Sequence, residues 1–190
     1  MTEQSPLVIL RDQVSACTRC EELAKTRTRT VFGDGNPQAR IFLIGEAPGA
    51  DEDRQGIPFV GKAGQLLNNI LSACKLSRDD IYIANILKCR PPQNRDPKPE
   101  EASNCRGYLD SQIDFVKPQF IVCLGRVAAC NLLGVDDTIT SLRGRWHDYK
   151  GIRVLCTYHP SYLLRAGEPA KKAAWADLQL LLKELQTKRS

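Results

Sequence analysis

No apolar run in this 190-residue sequence is long enough to cross a membrane. The opening stretch, MTEQSPLVILRDQ, lacks the basic start and small-residue cleavage site of a secretory leader. There is no internal repeat and no long linker. These absences argue against membrane insertion and export, and the expected location is the cytoplasm. Histidine is scarce: His147 and His159 are the two imidazoles the chain contains. What remains is ordinary globular composition, 42% hydrophobic and 26% charged. The length suits one domain over residues 1–190 with one substantial core. The net charge of +5 permits a polyanion partner and equally fits a solvated basic surface.

Eight cysteines in a chain of this kind are not expected to form disulfides. Cys74, Cys123, Cys130 and Cys156 have apolar or small neighbours and read as small core hydrophobes. Cys17, Cys20, Cys89 and Cys105 sit among polar, charged or Pro-rich residues, where a cysteine is a ligand or a reactive group. A Cys-x2-Cys pair plus two more cysteines around a basic loop suits a zinc ion or a [4Fe–4S] cluster, and spacing does not choose between them.

Periodicity predicts a helix over 5–25, with Leu7, Leu10 and Val14 on one face and CTRC near its end. Ile41–Ile44 reads as a buried strand that runs into a Gly-Glu-Ala-Pro-Gly loop, Gly45–Gly49. Asp51, Glu52 and Asp53 follow as acids of a solvated turn. GIPFVG, Gly56–Gly61, is an apolar insertion between glycines, and Gly64–Leu76 is an amphipathic helix. A second strand spans Ile81–Leu87. Lys88–Pro99 is too rich in Pro and Arg for regular structure, and Pro99 opens a helix over Glu100–Phe115. A third strand, Phe120–Leu124, precedes a helix at Val127–Leu133. Thr140–Gly151 holds a basic run and a turn at Lys150-Gly151. A fourth strand, Arg153–Tyr158, delivers His159, and a helix over Ala170–Lys188 turns Ala174, Leu178, Leu181 and Leu182 inward. Four strand–helix alternations imply an α/β fold with a parallel sheet covered on both faces. The strands end in GEAPG, NILKCR, LGR and HPSY, so polar residues gather along one sheet edge, where α/β proteins bind ligands.

GEAPGADED, GIPFVGKAGQLL, NILKCRPPQNRDP and HPSYLLR, in this order and with the four cysteines, closely resemble family 4 uracil-DNA glycosylases. The likeness runs from Cys17 to the last helix. It implies a three-layer α/β/α sandwich with a central four-stranded parallel sheet, and a [4Fe–4S] cluster on Cys17, Cys20, Cys89 and Cys105. It implies hydrolysis of the N-glycosidic bond of deoxyuridine, which releases uracil and leaves an abasic site for base-excision repair. The partner is then uracil-containing DNA, single- or double-stranded, met by a monomer. No lysine sits where a Schiff-base nucleophile would, so the expected enzyme is monofunctional. Two alternatives are a glycosylase for another deaminated base such as hypoxanthine, and a non-catalytic iron–sulfur protein that binds nucleic acid.

An enzyme acting on a base must flip it out of the stack into a pocket. Phe59 offers an aromatic face. Asn85, at a strand end, can accept from uracil N3–H and donate to O4, which cytosine does not match. Negative charge grows on uracil O2 as the bond breaks, and His159 can donate to it as a neutral imidazole. Backbone N–H groups near Gly45, Glu46 and Ala47 can hold the carbonyls. Related enzymes carry Asp two residues after the first Gly, where this chain has Ala47; Glu46 first and Glu52 second are the acids expected to position water or the sugar cation. Leu163 is the expected apolar wedge. Arg90, Arg143, Arg145 and Arg165 are expected on phosphates, with Lys88 and Arg95 held nearby. His147 is expected at the surface.

Overall fold

A computed structural model describes residues 5–187. Residues 1–4 and Lys188, on which parts of the leader and last-helix readings rest, lie outside it.

The core is set by alternation along four parallel strands: β2 (Ile41–Gly45), β3 (Ile81–Asn85), β4 (Phe120–Leu124) and β6 (Ile152–Thr157). Successive side chains point to opposite faces. Phe42, Ile44, Tyr82, Ala84, Ile121 and Cys123 therefore face one layer, made by α5 (Pro99–Val116), α6 (Arg126–Leu133) and α7 (Ile139–Leu142). Ile41, Leu43, Ile81, Ile83, Phe120 and Val122 face the other, where Leu67 and Leu71 of α4 (Lys62–Ala73) and Leu181 of α9 (Glu168–Thr187) cover them. This is the expected α/β/α sandwich.

The sheet is wider than expected. Two antiparallel edge strands, β1 (Asp34–Gly35) and β5 (Trp146–Tyr149), extend it to six in the order β1-β3-β2-β4-β6-β5. β5 lies in what reads as a basic connection. Its four residues pair with β6, and His147 there is half-buried, donating Nε2–H to the Leu142 carbonyl at 2.7 Å rather than facing solvent.

The N-terminal segment is also different. It breaks into α1 (Pro6–Ser15) and α2 (Glu21–Thr26), and Cys17–Cys20 forms the non-helical join. α1 packs on α5 through Leu10, Val14 and Tyr108. The acidic run forms a short helix, α3 (Ala50–Gln55), as acids in a first helical turn favour. Asp53 is buried there and accepts from the backbone N–H of Thr28 at 2.9 and 3.0 Å. It anchors the Thr-rich connection instead of facing water. Cys74, Cys123 and Cys156 are buried, whereas Cys130 is only partly so. No helix among the described residues is long and apolar enough to cross a membrane.

In α9 the inward face carries a charge as well as apolar groups. Asp177 is 1% exposed. It accepts from Thr157 Oγ1 at 2.7 Å and from Arg143 Nε and Nη2 at 3.0 and 2.8 Å. Arg143 also donates to the Ala173 carbonyl and lies over the Tyr158 ring. Its guanidinium is thus a structural tie between α9 and the α7–β5 connection, not a free phosphate contact. Removing one partner of a buried pair leaves the other uncompensated, so Asp177→Ala is expected to destabilise the fold by about 3–5 kcal/mol, measured by urea unfolding.

Candidate functional site

In the parallel order β3-β2-β4-β6 the chain reverses direction across the sheet between β2 and β4. A crevice opens outside the strand ends at such a point. Here it is a cavity of about 440 Å³ lined by the loop after β2 (Glu46–Gly49), Phe59, Asn85, Gly125–Val127 and His159. Four segments far apart in sequence meet because their strands end side by side: Gly45 is in register with Asn85, and Leu124 with Thr157.

Two glycines permit this closeness. A Cβ on Gly45 would lie 2.3 Å from Asn85 Oδ1 and 2.6 Å from the Phe59 ring. At Gly125, with φ +93°, a Cβ would lie 2.9 Å from that of His159. Gly125 is a site residue that the sequence reading passes over; its signal is the Leu-Gly-Arg step directly after a buried strand.

Asn85 is 2% exposed, and its Oδ1 is the one buried side-chain N or O atom without a hydrogen-bond partner among the described residues. Such an atom costs roughly 1–3 kcal/mol in folding, so it marks a place prepared for a ligand donor. The His159 ring stands 5.7 Å from the Phe59 ring, centroid to centroid. Its Nδ1 accepts from the Ser161 backbone N–H at 3.1 Å, with Ser161 Oγ 2.8 Å away. That bond fixes the tautomer: Nε2 carries the proton. Burial lowers the His159 pKa to about 4, against a smaller opposing pull from Glu52, so the ring is neutral over the physiological range.

Glu46 lines the cavity, and burial, aided by the negative charge of Asp96, raises its pKa to about 7. Glu52 lines the same cavity and is bound to backbone. Its Oε1 accepts from Val60 N–H and Gly61 N–H at 2.9 and 2.8 Å, and its Oε2 from Gly49 N–H at 3.1 Å. Both oxygens thus hold backbone together and join the two loops, and the side chain also lines the cavity. Those bonds matter because Phe59 sits at φ +54°, a strained value for a bulky residue, typically costing about 1–3 kcal/mol. Arg78 shares the task, donating to the carbonyls of Phe59 at 3.0 Å and Pro58 at 2.6 Å. Sequence reading gave Arg78 no role.

Leu163 is 3% exposed and packs into the core, so it cannot protrude as a wedge. Its neighbours Tyr162 and Leu164 are the exposed groups on α8 (Pro160–Leu163) and its end. Arg145 and Arg165 are exposed as expected, while Arg90 is half-buried and donates to Asn94 Oδ1 at 2.8 Å. Arg95 is tied to Glu101 and Glu22, and Lys88 is wholly buried, so neither is a free cation.

Behind the β2 loop the four polar-context cysteines gather. Cys20, Cys89 and Cys105 pack with Leu23, Leu87 and Ala47. Cys17 lies within electrostatic range of the other three. Arg27 joins the set, donating to Cys89 Sγ at 3.0 Å and to the Cys17 carbonyl at 2.7 Å. Among the described residues no three His, Cys, Asp or Glu side chains have metal-holding geometry. The chemistry of the donor set still fits a metal. Burial raises Cys20 and Cys105, and Cys89 to about 11, and a positive centre between them is what would hold them as thiolates.

The Phe59 loop offers a check. Arg78→Ala is expected to lower stability by about 1–3 kcal/mol and to weaken any ligand that stacks on Phe59; thermal melting and ligand titration measure the two effects.

The chain matches the Uracil DNA glycosylase superfamily over residues 32–179. It is 45% identical over 160 residues to a Type-4 uracil-DNA glycosylase of Archaeoglobus fulgidus, covering 80% of each chain. A Type-4 uracil-DNA glycosylase of Thermotoga maritima is 44% identical over 86% of each chain. One from Saccharolobus solfataricus is 38% identical over 96% of this chain and 88% of its own. With its cavity at the switch point, and its family match covering most of the sheet and both loop walls, this chain belongs to the uracil-DNA glycosylase superfamily.

Proposed function

We propose that this protein is a monofunctional uracil-DNA glycosylase of the type 4 family, acting in the cytoplasm as a monomer on uracil-containing DNA. The observation that carries this reading is the orphaned Oδ1 of Asn85, facing a cavity with Phe59 and His159 close by. Uracil N3–H supplies the missing donor, while the Asn85 amide N–H serves O4. Cytosine presents an acceptor at N3 and is refused. Phe59 stacks on the base.

Bond breaking leaves positive charge on the sugar and negative charge on uracil O2. His159 Nε2–H, neutral and pre-oriented by Ser161, donates to O2 as that charge grows. Glu46 serves as the carboxylate that orients water or faces the sugar cation; Ala47 has no side chain for the task. Exposed Tyr162 and Leu164 take the wedge position expected of Leu163, and Arg145 and Arg165 meet phosphates. Cys17, Cys20, Cys89 and Cys105 are the residues to hold a [4Fe–4S] cluster. When bound, it supplies a cross-link between the N-terminal join, the loop after β3 and α5.

His159→Ala is expected to reduce uracil excision by about 10²–10³-fold with DNA binding retained, read by single-turnover cleavage and gel shift on the same oligonucleotide. Near-normal turnover would refute the role. Since His159 stays neutral above pH 5, it adds no acid limb there. The carboxylate of Glu46 forms as pH rises through about 7, so excision is expected to climb across that value. In Glu46→Gln the step in the pH–rate profile disappears.

A further inference from the structure

Residues 27–31 leave α2 without forming helix or strand, yet hydrogen bonds fix them at both ends. The Arg27 guanidinium is a half-buried fork set between two parts of the cysteine set. Nη1–H donates to Cys89 Sγ at 3.0 Å and Nη2–H to the Cys17 carbonyl at 2.7 Å. A planar fork holds two acceptors in one geometry, which a lysine ammonium does not. Directly after it, Thr28 N–H donates to both Asp53 oxygens, at 2.9 and 3.0 Å. Val31 N–H donates to the Lys88 carbonyl at 2.7 Å. The strap also lies on the start of the Phe59 loop: a Cβ on Gly56 would come within 2.9 Å of Arg29 Cδ. Asp53 is buried, and beside it in α3 Glu52 holds the N–H groups of Val60, Gly61 and Gly49. A continuous series of hydrogen bonds and one short helix thus runs from a cysteine sulfur to the wall that carries Phe59.

Resting on the functional reading above, we propose that Arg27 is a positioning residue that couples the cysteine site to the base pocket: its fork sets the strap 27–31 against Cys17 and Cys89, and the strap, through Thr28 and Asp53, sets α3 and hence the Phe59 loop. Arg27 is not among the residues that line the cavity, so it does not touch substrate. Hydrogen bonds to ligand sulfurs are also a lever on an iron–sulfur site, so the same fork bears on metal retention. Asn104 is the natural contrast. Its Nδ2 donates to Cys20 Sγ at 3.6 Å and to the Arg19 carbonyl at 3.4 Å, and none of its side-chain hydrogen bonds among the described residues reaches the strap.

The test uses the full chain purified without oxygen, as wild type, Arg27→Met, Arg27→Lys and Asn104→Ala. Hydrogen exchange of the Val60 and Gly61 amides reads the pocket wall, and iron release to a chelator, followed by visible absorbance, reads the cysteine site. Uracil excision is measured per iron-loaded chain. Arg27→Met is expected to exchange those amides roughly 3–10-fold faster and to release iron roughly 10–100-fold faster. Its KM should rise roughly 3–10-fold with kcat little changed, because stacking on Phe59 holds substrate and transition state alike. Arg27→Lys keeps the charge without the fork and should show the same changes in smaller measure. Asn104→Ala should release iron faster while loop exchange and KM stay at wild-type values. Wild-type loop exchange in Arg27→Met, or an equal acceleration in Asn104→Ala, overturns the proposal. If Arg27→Met does not fold, Arg27→Lys decides, and loop exchange equal to wild type then overturns it. Wild-type chain that carries no iron or excises no uracil would sink the functional reading instead, while the exchange comparison still judges Arg27.

Discussion

The parallel pairing of β2 with β3 is the constraint on which the site rests. It sets Gly45 opposite Asn85 with no side chain between them, and the Phe59 ring fills the space a methyl would take. A one-residue slip would put Glu46 beside Asn85 and turn every core side chain of β2 to the wrong layer. The same register that sorts Phe42 and Ile44 from Ile41 and Leu43 therefore also sets the Asn85 amide at the cavity. The core and the cavity share one alignment.

Around that alignment the polar groups divide into two kinds. Glu52, Arg78 and Asp53 each bond backbone groups, and they keep the Phe59 loop and its neighbour in shape. Asn85 and His159 keep one atom each uncommitted, Oδ1 and Nε2. A site whose scaffold is satisfied and whose working atoms are not is organised before any ligand arrives, which limits reorganisation during reaction.

Much of this was legible in the residues. The strand Phe120–Leu124 and the helix that Pro99 opens fall where alternation and proline chemistry put them, within a residue. His159, Asn85 and Phe59 meet as expected. The misses share a cause: tertiary partners invisible to local patterns. The 5–25 periodicity runs through CTRC, but there the chain leaves the helix and the cysteines turn toward Cys89 and Cys105. β5 is short, polar and at an edge, so β6 creates it. Leu163 looks like a wedge until α4 is seen to cover it; Arg143 looks free until Asp177 appears on the apolar stripe of α9. The acidic run disguised a helix whose acids have separate duties.

The anchoring of Leu163 has a consequence for how a target is found. With that side chain sunk between helices, the turn bearing Tyr162 and Leu164 is anchored to the core, and the Tyr162 ring rests 5.1 Å from that of Tyr158, so the turn has less freedom to lose on contact. On the proposed reading, the protein presses a fixed probe along the duplex. The pace of search is then governed by how readily each base pair gives way, and weakly stacked or mispaired uracils surrender first.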